Sequence, residues 1–111
     1  MSPYVPQRGD VVWLTLNPQA GYEQAGRRPA LVLSPKSYNS KVGLAIFSPI
    51  TSQVKGYPFE APLPEGLPVT GVILSDQLKS LDWRARNIEF ICAVPDETVS
   101  EVLGKLKTLL D

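Results

Sequence analysis

The chain has 111 residues, 43% of them apolar and 20% charged, with 11 basic and 11 acidic side chains and no histidine. That length suits one domain around one core, so residues 1–111 are expected to form a single unit. The zero net charge gives no sign of a globally basic nucleic-acid binder, although the acids Asp96, Glu97, Glu101 and Asp111 cluster late and leave room for a basic patch elsewhere. Without histidine, Ser-His-Asp triads and His-rich zinc sites are excluded, and the lone Cys92 excludes Cys-based metal sites and an intrachain disulfide. Cys92 lies in the apolar run Phe90 to Val94 and is expected to be a buried, inert thiol. Met1 opens onto Ser-Pro-Tyr-Val-Pro with no charged or apolar leader, and no apolar run reaches membrane-spanning length, so a soluble cytoplasmic protein is expected.

Eleven prolines and eight glycines spread along the chain favour short strands joined by turns. Val11 to Leu16 predicts a first strand buried on much of both faces, with Trp13 in the core, between the turn signals Gly9-Asp10 and Asn17-Pro18. The loop Gln19 to Arg28 follows, longer than most connections. Its segment Gly21 to Pro29 holds Glu23, Gln24, Arg27 and Arg28 between two glycines and a proline. Ala30 to Leu33 predicts a second strand with Pro29 at its entry, and Ser34-Pro35 predicts a helical turn capped by Ser34.

Leu44 to Ile50 predicts a third strand, Tyr57 to Ala61 a short fourth and Val69 to Leu74 a fifth weakened by Gly71. Ser75 to Ser80 reads as a strand continuation or a helical turn, and Ile88 to Val94 as the last strand. Pro95 to Leu110 is the one clear helix, with Val99, Val102, Leu103, Leu106, Leu109 and Leu110 at helical spacing. Asp96 and Glu97 near its start and Lys105 and Lys107 near its end complement the helix dipole. Gly104 within it marks either a close approach to the sheet or simple tolerance. The expected architecture is mostly β with a C-terminal helix, a small barrel of antiparallel strands.

Several side chains could carry chemistry. Arg27 and Arg28 with Lys36, Lys41, Lys55, Lys79, Arg84 and Arg86 could form a basic surface, or be ordinary solvated charge. Glu23 and Arg28 are either an ion pair stabilising the loop or the base and phosphate clamp of a phosphoryl-transfer site. Thr51 and Ser52 are turn formers or hydroxyl donors to phosphate; Asp76 and Gln77 cap a helical turn or read base edges. Trp83 is a stacking platform or a subunit contact.

Taken together, Arg8 to Trp13, Gly21 to Pro35, Pro49 to Ser52, Lys55-Gly56-Tyr57-Pro58-Phe59 and Ser75 to Ser80 resemble the MazF/PemK family of toxin endoribonucleases. The match runs through nearly the whole chain in order. The resemblance implies an SH3-like barrel of the CcdB/PemK kind, working as a homodimer without cofactor or metal. It implies cleavage of single-stranded RNA, such as mRNA, at short sequence motifs, and a MazE-like antitoxin whose disordered acidic and apolar tail covers the active surface. By resemblance the catalytic residues are Arg28, Thr51 and Glu23, and the RNA-binding residues are Gln24, Arg27, Ser52, Lys55, Asp76, Gln77 and Lys79. Tyr22 and Leu74 stand where some PemK-type members carry histidine and arginine, so the MazF-type set of Arg28 and Thr51 applies. The expected reaction is attack by the substrate's own 2′-hydroxyl, leaving 2′,3′-cyclic phosphate and 5′-hydroxyl ends. The alternatives are a CcdB-like toxin that poisons DNA gyrase by contact and a peptide-binding SH3-like module.

Overall fold

The computed structural model describes residues 4–16 and 26–110. In chain order the elements are β1 (Asp10–Leu16), β2 (Gly26–Val32), α1 (Lys36–Val42), β3 (Leu44–Thr51), β4 (Glu60–Pro62), β5 (Val72–Leu74), β6 (Lys79–Asp82), β7 (Glu89–Ala93) and α2 (Asp96–Leu110). Among the described residues the pairings are antiparallel, in the order β4-β5-β3-β2-β1-β7, with β6 alongside β3. The expected mostly antiparallel fold with a C-terminal helix is therefore present. The ladder does not close on itself, since β4 and β7 lie at its two ends.

Successive strand residues point to opposite faces, so an apolar strand can feed two cores. Val11, Leu31, Ile50 and Ile73 face one way and pack with Val99 and Val102 of α2. Val12, Leu14, Ala30, Val32 and Phe47 face the other way and pack with Trp83. The burial of both faces holds for the first half of β1 only. Trp13 shares the α2-side face with Val11 but stands 39% exposed, past the cover of the helix cluster, so it is not core. Trp83 shows the reverse. It is 6% exposed, and its Nε1 donates to the Asn39 carbonyl at 3.0 Å, which leaves no ring surface for base stacking or a subunit contact.

Other boundaries move for local reasons. β2 starts at Gly26, so Arg27, Arg28 and Pro29 lie in the strand and not in a loop before it. Ser34 does not cap α1: Pro35 holds that position, while the Ser34 hydroxyl donates to Asn39 Oδ1 at 2.6 Å and accepts from Ile46 N at 2.8 Å. β4 begins at Glu60 because Tyr57 to Phe59 forms a turn, closed by Glu60 N donating to Tyr57 O. β5 begins only at Val72, since Gly71 takes a φ of +119° outside strand geometry. Ser75 to Leu78 bends between β5 and β6, and both strands run along the same edge of β3.

Within α2 the predicted apolar face holds as far as Leu106, while Leu109 and Leu110 are exposed. A Cβ on Gly104 would meet nothing within 4 Å, so that glycine is tolerated and marks no close packing. Cys92 is a free thiol, only half-buried because β7 is an edge strand. Among the described residues no helix is long and apolar enough to cross a membrane.

Candidate active site

Arg28 sits on β2 opposite Leu14 of β1. The β2–β3 ladder runs over Ala30↔Pro49, Leu31↔Ser48 and Val32↔Phe47. It stops where Pro29 and Pro49 can no longer donate N–H groups. Continued past that point, the same register sets Arg28 across from Thr51, and both share the face of Ala30, Val32 and Phe47. Arg28, half-buried, and Thr51, buried, thus fall on one face where the β2–β3 ladder ends, at the edge of the second core. Thr51 Oγ1 accepts from Gln53 N at 3.1 Å, which turns the chain out of β3 and leaves the hydroxyl proton to donate elsewhere.

The backbone beneath Thr51 is unusually tight. A Cβ on Gly71 would lie 2.1 Å from the Thr51 carbonyl oxygen, so only glycine lets the chain cross there. Arg27 points to the opposite face from Arg28. Its Nη2 donates to Glu89 Oε1 at 2.8 Å and to the Asn87 carbonyl at 3.1 Å, and its Nη1 donates to Thr15 Oγ1 at 3.3 Å.

Asp76 and Gln77 occupy the β5–β6 bend on the edge of β3 away from β2, and Lys79 opens β6 opposite Phe47. They neither cap a helix nor continue one strand. Asp76 Oδ2 accepts from the Tyr57 hydroxyl at 2.7 Å, and this bond together with partial desolvation raises the Tyr57 pKa. Asp76 Oδ1 is buried without a hydrogen-bond partner, as are the hydroxyls of Ser48 and Ser75 on the facing strand and in the same bend.

Ser52 and Lys55 lie in the exposed segment that leads from Thr51 toward Tyr57. That segment is shaped by Glu60, whose Oε2 accepts from Lys55 N at 3.0 Å and whose Oε1 accepts from Gly56 N at 3.0 Å and Tyr57 N at 3.3 Å. By register Arg28 and Thr51 share a face where the β2–β3 ladder ends, and the Tyr57 hydroxyl joins Asp76 to the Lys55–Tyr57 loop. The structure does not bring Arg27 to that face. Glu23 and Gln24 lie outside the described residues.

Three contributors emerge only from the fold. In the sequence Tyr57 and Glu60 mark only a turn and a strand, although a glutamate just after Lys-Gly-Tyr-Pro-Phe is positioned to accept from a turn's free N–H groups. Gly71 reads as a strand weakener, and no sequence signal ties it to Thr51. Among the described residues no three of His, Cys, Asp and Glu gather as a metal-binding group.

A small curled β-sheet with a guanidinium, a hydroxyl and a carboxylate around one strand end is the class of site found here. Residues 7–110 match the family described as the PemK-like, MazF-like toxin of type II toxin-antitoxin system. The chain is 46% identical over 110 residues to the endoribonuclease toxin MazF of Escherichia coli (strain K12), covering 99% of this chain and 98% of that protein. The crystal structure of MazF (Form-I) from Deinococcus radiodurans superposes with a TM-score of 0.93 at 55% identity, over 97% of this chain and 98% of that one. A MazE–MazF structure (Form-II) from the same organism gives 0.88 at 55% identity, over 97% of each chain. The chain belongs to the PemK/MazF toxin family.

Proposed function

We propose that the protein is a MazF-like endoribonuclease toxin of a type II toxin–antitoxin system, cutting single-stranded RNA at a short sequence motif. What supports this reading is the register of β2 against β3, from which Arg28 and Thr51 fall on one face where the ladder ends. The full-length relationship to proteins named endoribonucleases supports it.

In the proposed reaction the 2′-hydroxyl loses its proton to Glu23 as its oxygen attacks the adjacent phosphorus. The bond from phosphorus to the 5′-oxygen breaks, and that oxygen takes up a proton, giving a 2′,3′-cyclic phosphate and a 5′-hydroxyl. Arg28 stabilises the negative charge growing on the phosphoryl oxygens, where a fixed guanidinium is most effective. Thr51 donates to the same phosphate. Asp76, Gln77, Lys79, Ser52 and Lys55 bind bases, sugars and phosphates of the strand, whose base edges are open in single-stranded RNA. No step asks for a metal or other cofactor.

A MazE-like antitoxin is the proposed partner, supported by the MazE–MazF complexes of the Deinococcus relative. The working form is taken to be a homodimer in the cytoplasm. A gyrase poison of the CcdB kind would need neither Arg28 nor Thr51.

Incubating the purified protein with RNA in EDTA tests the proposal, with cleavage expected. RNA carrying 2′-deoxyribose at the cut position should stay intact. Cleavage of that substrate would rule out 2′-hydroxyl attack, and intact unmodified RNA would rule out the nuclease reading.

A further inference from the structure

We propose that Glu60 is a positioning residue for RNA binding, its carboxylate holding the Lys55–Tyr57 backbone in the shape that sets the Tyr57 phenol on Asp76. The inference rests on the endoribonuclease reading and adds residues that it did not include.

Glu60 opens β4 directly across from Leu74, two residues before Asp76. Its two oxygens take the successive N–H groups of Lys55, Gly56 and Tyr57. Gly56, at a φ of +77°, turns these donors to one side, as in backbone nests that hold external anions. Here the anion is the chain's own. Residues 52–58 are all exposed, so this loop has no core packing to shape it. Its conformation rests on hydrogen bonds, and Glu60 receives the central ones.

The consequence appears at Tyr57. Its backbone is fixed by Glu60 and its hydroxyl reaches Asp76 Oδ2 at 2.7 Å. Tyr57 stays 46% exposed, with its ring 5.7 Å from that of Phe59. An exposed aromatic face is what the bases of a single strand stack against. Asp76, with one oxygen already engaged, is held in one orientation.

The arrangement can be distinguished from a merely structural turn. The far end of the loop has independent anchors: Ser75 N donates to Phe59 O at 3.0 Å, Lys105 Nζ donates to Pro58 O at 3.1 Å, and Ala61 pairs with Ile73 in the core. Loss of the Glu60 carboxylate therefore loosens the Lys55–Tyr57 backbone while β4 stays in place. Charge also gives a sign test. An unlinked carboxylate beside an RNA surface repels phosphate, so removing it should tighten binding. Removing a clamp should weaken it.

The experiment uses the full chain and an RNA oligonucleotide that the wild-type protein cuts. Binding is read by fluorescence anisotropy on the same oligonucleotide with 2′-deoxyribose at the cut position, and cleavage by KM and kcat on the unmodified form. Glu60→Ala is expected to raise Kd and KM about tenfold with kcat within about threefold of wild type. Glu60→Gln, which keeps one acceptor oxygen, should fall between. Tyr57→Phe should raise Kd severalfold, and the double variant Glu60→Ala/Tyr57→Phe should bind no worse than Glu60→Ala alone, since both act through one contact. Equal or tighter binding by Glu60→Ala and Glu60→Gln would overturn the proposal, as would additive losses in the double variant. If Glu60→Ala fails to fold, Glu60→Gln with and without Tyr57→Phe runs the same cycle. Failure of the wild-type protein to cut any RNA would overturn the endoribonuclease reading itself.

Discussion

Adjacent arginines meet opposite fates because strand residues alternate. Arg28 turns to the face it shares with Thr51, whereas Arg27 turns to Thr15 and Glu89. Under the proposed mechanism Arg28→Ala should lower kcat by about 10²–10³, the usual loss for one preorganised charge-stabilising donor. Arg27→Ala should keep cleavage within severalfold, since it removes an exposed ion pair of small energetic weight. Initial rates on one RNA substrate compare the two; equal losses would mean that the face assignment carries no functional distinction. Gly71 is a second single-residue constraint. Gly71→Ala combines a φ of +119° with a Cβ 2.1 Å from the Thr51 carbonyl, so it should cost about 2–4 kcal/mol in urea unfolding and impair cleavage by displacing Thr51. Unchanged stability would show that β3 and the Gly71 segment separate freely.

Among the elements, the short helix α1 is held by one side chain. Asn39 is fully buried: its Nδ2 donates to the carbonyls of Pro6 at 2.8 Å and Ser34 at 3.1 Å, and its Oδ1 accepts from the Ser34 hydroxyl. Its own carbonyl accepts from Trp83 Nε1 and from Gly43 N. A helix of seven residues with no side-chain cap has little stability of its own, so these bonds join it to the N-terminal segment and the second core. Asn39→Ala leaves several buried donors and acceptors without partners and should destabilise by about 2–4 kcal/mol, read as a lower urea midpoint. A loss below about 0.5 kcal/mol would mean that water replaces the side chain without penalty. The terminal helix α2 works differently, through Val99 and Val102 against the sheet, while Leu109 and Leu110 of its last turn stand exposed.

For the molecule as a whole, the sheet is a divider between two cores, and its site lies where the cover of the second core ends at Thr51 and Arg28. The N-terminal segment is tied to the sheet through the Tyr4 hydroxyl, which donates to Asp10 Oδ2, with the Tyr4 ring beside Phe90. Burial first, then that bond and the Asp10 charge, raise the Tyr4 pKa far above the ordinary tyrosine value. A raised folded-state pKa stabilises fully below the unfolded value of about 10 and is lost progressively as pH rises above it. Unfolding midpoints should therefore fall above about pH 10, and Tyr4→Phe should flatten that decline. An unchanged alkaline slope in the variant would assign the decline to other groups. Cys92, raised by burial and then by Asp10, should react slowly with iodoacetamide near neutral pH. Rapid alkylation would mean that the β7 edge opens.

What could be read from residue order was whatever local pattern dictates. Alternation and β-branched runs located β1, β3 and β7, and helical spacing located α2, because backbone geometry imposes those periods directly. The resemblance carried by Gly21 to Pro35 and the later segments located Arg28, Thr51 and Asp76 in the chain. Tertiary structure decided the rest. Trp13 and Trp83 exchanged their expected roles because burial depends on what packs over a face, which neighbouring residues do not specify. β6 gained strand geometry by pairing with β3, and the expected fourth strand was cut to Glu60–Pro62 by the turn before it and its pairing with β5. The pairing of Tyr57 with Asp76, the Glu60 clamp and the need for glycine at 71 all join residues distant in sequence or hidden in a turn. Such contacts follow from how the sheet curls, and no periodicity in the sequence records them.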